Sequence, residues 1–111
     1  MRDAGFDVPL FACNPPGDLK HGYRADLFPV VNFGSDPAKA FAALRDILPH
    51  SPLMCGEFYP VLFDTWGQPH HLGNTPQYLA DLEYMLTNGE SFSIYMVHGG
   101  TTFGLWSGAD H

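Results

Sequence analysis

Leu27-Phe28-Pro29-Val30-Val31-Asn32-Phe33-Gly34-Ser35-Asp36-Pro37 joins an apolar run directly to a helix start. The apolar part has the length and composition of a buried strand, and Gly34 ends it. Asp36 is suited to cap the free amides of a helix, because Pro37 then occupies the first helical position, where its missing N–H costs little. A strand that passes at once into a helix is the repeating unit of α/β folds.

Three further apolar runs flank this unit. They are Val8–Cys13, Pro52–Phe58 and Phe92–Val97. Each is nearly continuous in hydrophobic residues instead of alternating with polar ones, a pattern typical of parallel strands that are covered on both faces. The first run is closed by Asn14-Pro15-Pro16-Gly17, which predicts a turn.

Two helices are predicted between these strands. The first runs from Pro37 to a stop at Pro49, and the second runs from Thr75-Pro76 to Asn88-Gly89, where a glycine in the left-handed conformation ends it. Their apolar stripes are Phe41, Leu44 and Leu48 on the first helix and Leu79, Leu82 and Leu86 on the second. The span from Asn14 to Asp26 has too little periodicity to predict a helix.

The resulting order is strand, loop, strand, helix, strand, helix, strand. This alternation predicts an α/β fold with four parallel strands, outer helices and right-handed crossovers. No linker, charge run or low-complexity tract divides the 111 residues, so we expect one domain at most.

Charge and hydrophobicity exclude several classes of protein. Five Lys and Arg against twelve Asp and Glu give a net charge of −7, which disfavours a nucleic-acid partner because phosphate binding needs clustered cations. No apolar run approaches the ~18 residues of a transmembrane helix, so we expect no membrane span. Met1–Gly5 lacks the basic start and apolar stretch of an export signal, which favours the cytoplasm but leaves the location open.

No metal or cofactor is expected. Cys13 and Cys55 lie in apolar strands without metal-ligand spacing, which predicts buried thiols. His70-His71 are adjacent in a loop with no Cys, Asp or Glu at ligand spacing, which favours loop histidines over a zinc site. His98-Gly99-Gly100 is similar to an esterase oxyanion loop, but the chain has no Gly-x-Ser-x-Gly elbow and no glycine-rich phosphate loop.

Chemistry-bearing residues follow the third and fourth predicted strands. Gly56–Pro60 and Tyr95–Thr101 lie at the carboxyl ends of strands, where parallel α/β sheets and barrels bind ligands. Glu57 is the strongest candidate, because an ionisable side chain at the end of a buried strand must be paired or have a task. Catalysis and simple satisfaction by neighbouring donors are equally open at this point.

Aromatic and polar residues surround this candidate. Tyr59, Phe63 and Trp66 offer aromatic faces that stack on sugar rings, although each one alone is better explained by loop packing. Asp64 is suited to bind a ligand hydroxyl, but stabilisation of a turn is the commoner role. Tyr95 offers a phenol to a ligand, or else is a core tyrosine with a satisfied hydroxyl.

The segments Pro52–Pro60, Phe63–Gly67 and Tyr95–Gly104 closely resemble the second half of the catalytic barrel of glycoside hydrolase family 35 β-galactosidases. The resemblance extends over essentially the whole chain. It implies that residues 1–111 form the fifth to eighth strands of a (β/α)₈ barrel, which hydrolyses terminal non-reducing β-D-galactose residues with retention. It also implies that Glu57 is the nucleophile and that Tyr95 lines the galactose site.

Three departures from the family's pattern accompany the resemblance. The family usually has Gly-Trp where this chain has Val61-Leu62, which replaces an aromatic wall of the sugar pocket by an aliphatic side chain. The usual Asn after His-Gly-Gly-Thr is Thr102. The family's general acid/base belongs to an Asn-Glu pair at the end of the fourth strand, and this chain contains no Asn-Glu dipeptide.

The missing acid/base also follows from the residues themselves. Retaining hydrolysis needs two carboxyl groups about 5–5.5 Å apart. Glu83 is predicted on the second helix and Glu90 at the start of a strand, at the wrong end of the sheet, while Asp64 lies in a loop. A full barrel also takes roughly 250 residues. The sequence therefore predicts a fragment that lacks the first half of the barrel.

Two hypotheses remain at this stage. The first is the second half of a retaining β-galactosidase, inactive in isolation, whose partners are a β-galactoside and the missing half-barrel. The second is a non-catalytic carbohydrate-binding or vestigial module. Four strands taken from a closed barrel would leave unpaired edges at Val8–Cys13 and Phe92–Val97, so the isolated chain is expected to self-associate.

Overall fold

The computed structural model describes residues 1–65 and 67–98. Trp66 and residues 99–111 lie outside the described residues. The sequence-based interpretations of Trp66, of Thr102 and of the glycines after His98 therefore stay predictions. Within the described part, four strands form one sheet in the order β1-β2-β3-β4, and every neighbouring pair is parallel. The strands are β1 (Phe11–Asn14), β2 (Phe28–Phe33), β3 (Met54–Phe58) and β4 (Ser91–Ile94). The predicted α/β fold with four parallel strands is confirmed.

Three α-helices connect the strands: α1 (Leu19–Gly22), α2 (Pro37–Ile47) and α3 (Thr75–Thr87). The start of α2 is the predicted one, since Asp36 accepts a hydrogen bond from the backbone N–H of Lys39 at 3.3 Å. Gly89 follows α3 with a φ of 67°, as the predicted left-handed stop requires. Helix α1, preceded by a 3₁₀ turn at Pro16–Asp18, has no counterpart in the sequence analysis, because a single helical turn is too short to show a period.

The predicted stripe of α3 is confirmed for Leu82, which packs against the core, and is wrong for Leu79 and Leu86. Leu79 and Leu86 are 57% and 66% exposed, whereas Met85 is completely buried and Tyr78 packs against the core. Tyr78 stacks on Phe58 of β3, with ring centroids 5.4 Å apart. Tyr78, Leu82 and Met85 share helical spacing just as the leucines do. The contact of Tyr78 with the sheet therefore determines which face of α3 packs on the core, because an aromatic ring buries more surface than a leucine side chain would.

The core lies on one face of the two central strands. Val31 and Phe33 of β2 and Cys55 and Phe58 of β3 pack against the buried residues of α2 and α3. The ring of Phe33 meets that of Phe41 on α2 edge to face, at 5.3 Å. The outer strands β1 and β4 contain no fully buried residue. The expectation that all four strands are covered on both faces is therefore wrong for these two.

A bulge in β3 breaks the regular register. Val31 pairs with Cys55 and Asn32 pairs with Glu57, so Gly56 is an extra residue relative to β2. The pairing with β4 shows the same irregularity between Cys55 and Phe58. Cys55 and Phe58 both enter the core although they are three residues apart, which strict alternation forbids. The bulge thus removes Gly56 and Glu57 from the helix-covered face.

Gly56 is required at the bulge by close packing. A Cβ at this position would lie 2.6 Å from the Cys13 sulfur and 2.7 Å from a Val30 methyl carbon. Val30 is completely buried and β-branched, so it has little freedom to move aside. Cys13, Val30 and Gly56 come from β1, β2 and β3, and they pack together on the face of the sheet opposite the helices.

The two thiols differ in burial. Cys55 is fully buried, and burial is the main reason that its pKa rises to about 12. Cys13 is only partly buried; its pKa is raised by burial and secondly by the charge of Glu57. Both are free thiols. The predicted burial is confirmed for Cys55 and is partial for Cys13. None of the described helices is long and apolar enough to cross a bilayer.

Replacing Gly56 by alanine is expected to destabilise the protein by roughly 1–3 kcal/mol, because the new methyl group must displace a sulfur and a buried valine. The measurement is the free energy of unfolding in denaturant. Gly17→Ala is the matched control, since a Cβ there meets nothing within 4 Å. Equal stability of the two variants would contradict the packing described for the bulge.

The 111-residue chain alone is expected to self-associate, because β1 and β4 are unpaired edges of the described sheet. Sedimentation at micromolar concentration measures the association. Phe11→Lys places a charge on the β1 edge, where Phe11 is exposed, and should reduce it. Leu72→Lys, in an exposed loop, adds the same charge away from the edges and should not. A stable monomer that unfolds cooperatively would refute this expectation.

Candidate active site

The carboxyl ends of the four parallel strands meet at one edge of the sheet. Backbone hydrogen bonds continue beyond the strands there: Tyr59 N–H donates to the Phe33 carbonyl at 3.2 Å, and Tyr95 N–H donates to the Phe58 carbonyl at 2.8 Å. These bonds hold the backbone of both tyrosines against the neighbouring strand. Glu57, Tyr59 and Tyr95 therefore occupy adjacent strand ends.

Glu57 lies in the bulge, one residue before the end of β3. It pairs in register with Asn32, whose side chain alternates away from the core residues Val31 and Phe33, so Glu57 shares the face opposite the helices. It is half-buried. The two ion pairs between described residues join Arg24 to Asp26 and His70 to Asp64, so neither involves Glu57.

The charge of Glu57 affects its surroundings. The pKa of Tyr59 is raised mainly by burial and secondly by this carboxylate. The Cys13 thiol responds in the same order. Because both pKa values are raised, the Tyr59 phenol and the Cys13 thiol stay protonated at neutral pH.

Asn32 is a polar residue of this edge that sequence analysis did not single out. Its Oδ1 atom is buried and has no hydrogen-bond partner among the described residues. Because Asn32 lies beside Glu57 in register, its amide group is available to the carboxylate or to a ligand. The signal was present in the sequence, since Asn32 is the single polar residue of the run Leu27–Phe33.

Tyr95 directly follows β4 and is 52% exposed. That exposure contradicts the alternative of a core tyrosine. In the loop that follows β3, Leu62 and Phe63 are also exposed, so loop packing does not bury them. The strand end at Tyr95 and the loop after β3 therefore carry exposed aromatic and aliphatic side chains.

Asp64 stabilises the loop after β3. Its Oδ1 accepts a hydrogen bond from the backbone N–H of His71 at 2.8 Å, and its Oδ2 pairs with the His70 ring. The hydrogen bond from the His71 N–H is the main reason that the pKa of Asp64 lies below its usual value. The His71 ring is bound to the Phe63 carbonyl at 2.6 Å. Turn stabilisation is thus the role that the described contacts assign to Asp64.

Both histidine rings contact oxygen atoms of their own loop. The described residues contain no group of three His, Cys, Asp or Glu side chains suited to a metal ion. The interpretation of His70-His71 as loop histidines stays a prediction that these contacts favour.

The other two glutamates lie away from this edge. Glu83 is an exposed residue of α3. Glu90 immediately precedes β4 and therefore lies at the amino edge of the sheet. Burial raises the pKa of Glu90, and the charge of Arg45 partly opposes this. Among the described glutamates, Glu57 alone lies at the carboxyl edge, and the second carboxyl group that retaining hydrolysis requires is not supplied by the other two.

Comparison with known proteins gives a consistent result. The profile of glycosyl hydrolases family 35 matches residues 2–111. A mouse protein named beta-galactosidase-1-like protein is 39% identical over 108 residues, and a beta-galactosidase of Xanthomonas manihotis is 39% identical over 109 residues. Human beta-galactosidase is 38% identical over 110 residues.

These alignments cover 96% of this chain but only 16% to 18% of each relative. The chain thus spans about a sixth of the length of these relatives. Because the family profile covers nearly every residue, the relationship does not rest on a short motif. This chain belongs to glycosyl hydrolase family 35.

Proposed function

We propose that residues 1–111 are the second half of the catalytic barrel of a retaining β-galactosidase, from the fifth to the eighth strand, with Glu57 as the nucleophile. The carrying observation is the position of Glu57: half-buried in a bulge at the carboxyl edge of a parallel sheet, without an ion-pair partner in the described chain. A partly buried carboxylate without an ion-pair partner is typical of a functional site. The names of the beta-galactosidase relatives suggest that this function is galactoside hydrolysis.

The proposed reaction is a double displacement at the anomeric carbon. A Glu57 oxygen attacks this carbon of a terminal β-D-galactose residue, the bond to the leaving oxygen breaks, and a second carboxylic acid protonates that oxygen. The same second group then removes a proton from water, which attacks the galactosyl ester and releases Glu57. Two inversions give overall retention. No cofactor enters this scheme.

The residues around Glu57 have supporting roles in this proposal. Tyr95 presents its phenol to the sugar from the neighbouring strand end. Asn32 offers amide hydrogens and an acceptor at the level of the nucleophile. Asp64 keeps the loop after β3 folded over this edge through His70 and His71. The second carboxyl group belongs to the missing first half of the barrel, which is the partner that this chain requires.

A non-catalytic sugar-binding module is the second candidate. The observation in its favour is the exposed Leu62 where the family usually has tryptophan, combined with the single glutamate at the carboxyl edge of the described chain. Such a module would keep the strand-end surface and lose the chemistry. The presence or absence of an upstream reading frame that encodes an Asn-Glu pair at a strand end distinguishes the two candidates.

The isolated chain is expected to show no hydrolysis of alkyl β-galactosides. Without a general acid the leaving oxygen departs unprotonated, and general acid catalysis is typically worth about 10²–10⁴-fold. The assay compares the hydrolysis rate of the chain with that of its Glu57→Gln variant. The two rates should be equal. Turnover that disappears in Glu57→Gln would show that the site is complete without a first half.

In the complete enzyme, a 2-deoxy-2-fluorogalactosyl fluoride is expected to inactivate the protein by accumulating the covalent intermediate on Glu57. Peptide mapping by mass spectrometry locates the label. Glu57→Gln should abolish both labelling and turnover, whereas Glu83→Gln, on the exposed face of α3, should leave both unchanged. A label on another residue would refute the assignment. A labelled Glu57 would exclude the non-catalytic module.

A further inference from the structure

Asp81 is a buried acidic residue that the proposed reaction does not use. It lies in the middle of α3 with 5% of its surface exposed, on the same side as Met85. Its Oδ1 atom accepts a hydrogen bond from the Gln77 side-chain amide at 2.9 Å. Its Oδ2 atom is buried and has no hydrogen-bond partner among the described residues. One half of a buried carboxylate therefore lacks a partner, a costly arrangement unless something binds there.

Two adjoining clefts meet at this carboxylate. The first has a volume of about 340 Å³, and its walls include Ser35, Tyr59, Leu62, Gln77 and Tyr78 together with Asp81. The second, of about 560 Å³, shares Ser35, Gln77 and Asp81 with the first. Both clefts lie between the start of α2 and the first turns of α3. This volume is in the range of sites that bind small organic molecules.

The chemistry of the walls restricts the ligand. Neither cleft is lined by a described Lys, Arg or His residue, so no cation of the described chain neutralises Asp81 there. The surface of the first cleft is largely apolar, and Tyr59, Leu62 and Tyr78 are the large side chains that supply it. A hard metal ion would need several carboxylate or carbonyl ligands grouped together. The clefts are lined by two carboxylates, Asp81 and the Asp36 that caps α2, and the described residues form no group of three suited to a metal ion.

We propose that the cleft binds an organic cation, an ammonium or guanidinium group attached to an apolar stem. The cationic group donates hydrogen bonds to the carboxylate of Asp81, a residue that lines both clefts, while the Gln77 side chain donates to Oδ1 and holds the carboxylate in place. The stem lies along Tyr78 and Leu62. Two sources share this chemistry: a free small molecule, and a Lys or Arg side chain from another part of the same protein.

The clefts share Tyr59 and Leu62 with the loop after β3, but they contain none of the residues to which the proposed function gives a role in the reaction. Asp81 is on α3, behind the strand end that carries Glu57, and the two clefts do not include Glu57, Asn32 or Tyr95. Failure of the galactosidase proposal would therefore leave this one intact, and the tests below do not use activity as their readout.

Calorimetric titration of the full protein that contains this chain, with butylguanidinium and with butanol as the neutral probe, tests the free-ligand source. We expect saturable binding of butylguanidinium alone, weakened more than about 30-fold in Asp81→Asn. Asp46→Asn removes an exposed carboxylate of α2 and should bind like the wild type. Leu62→Lys places a competing ammonium group at the exposed mouth of the cleft and should also weaken binding, which keeps the test valid if Asp81→Asn fails to fold.

The internal source gives a different result in the same protein. Butylguanidinium then finds the cleft filled, Asp81→Asn lowers the melting temperature more than Asp46→Asn does, and peptide mapping after carbodiimide coupling or mutation of the facing Lys or Arg identifies the occupant. Equal binding in wild type and Asp81→Asn, binding of butanol as tight as butylguanidinium, or neither binding nor a difference in melting temperature between the two variants would overturn the proposal.

Discussion

No side chain fits at position 56, and the candidate site depends on that constraint. The Cys13 sulfur and a Val30 methyl group occupy the space that a Cβ would need. With glycine there, β3 accommodates one residue more than either neighbouring strand. The extra residue lets Phe58 return to the core while Glu57 stays on the opposite face. A carboxylate thus ends a buried strand without being forced into the hydrophobic core.

The aromatic core determines where the rest of the molecule lies. Phe33 contacts both Phe41 and Phe58, and Phe58 in turn stacks on Tyr78. This chain of rings joins β2, α2, β3 and α3. It orients α3 so that Leu79 and Leu86 face outward and Asp81 faces inward. The burial of Asp81 either results from this aromatic packing alone or serves the binding of a ligand. The two clefts beside Asp81 favour the second explanation.

The carboxyl edge of the described sheet carries one glutamate. Glu57 lies there, whereas Glu83 lies on the exposed side of α3 and Glu90 lies at the amino edge. Retaining hydrolysis requires two carboxyl groups close together. The described edge of the sheet therefore supplies one of the two groups that such a reaction needs. Asp64 has a different role, since its contacts with His70 and His71 hold the loop after β3 in place.

Local sequence signals determined the elements of this protein. Apolar runs bounded by Pro and Gly identified the four strands, and Asp36-Pro37 identified the start of α2, because capping and steric exclusion act within a few residues. The same locality made Glu57 visible as an ionisable residue at a strand end. Only the tertiary structure decided the face of α3, the place of Asn32 beside Glu57, the bulge at Gly56 and the burial of Asp81. Each of these depends on contacts between residues distant in sequence, and the spacing of one helix or strand does not contain that information.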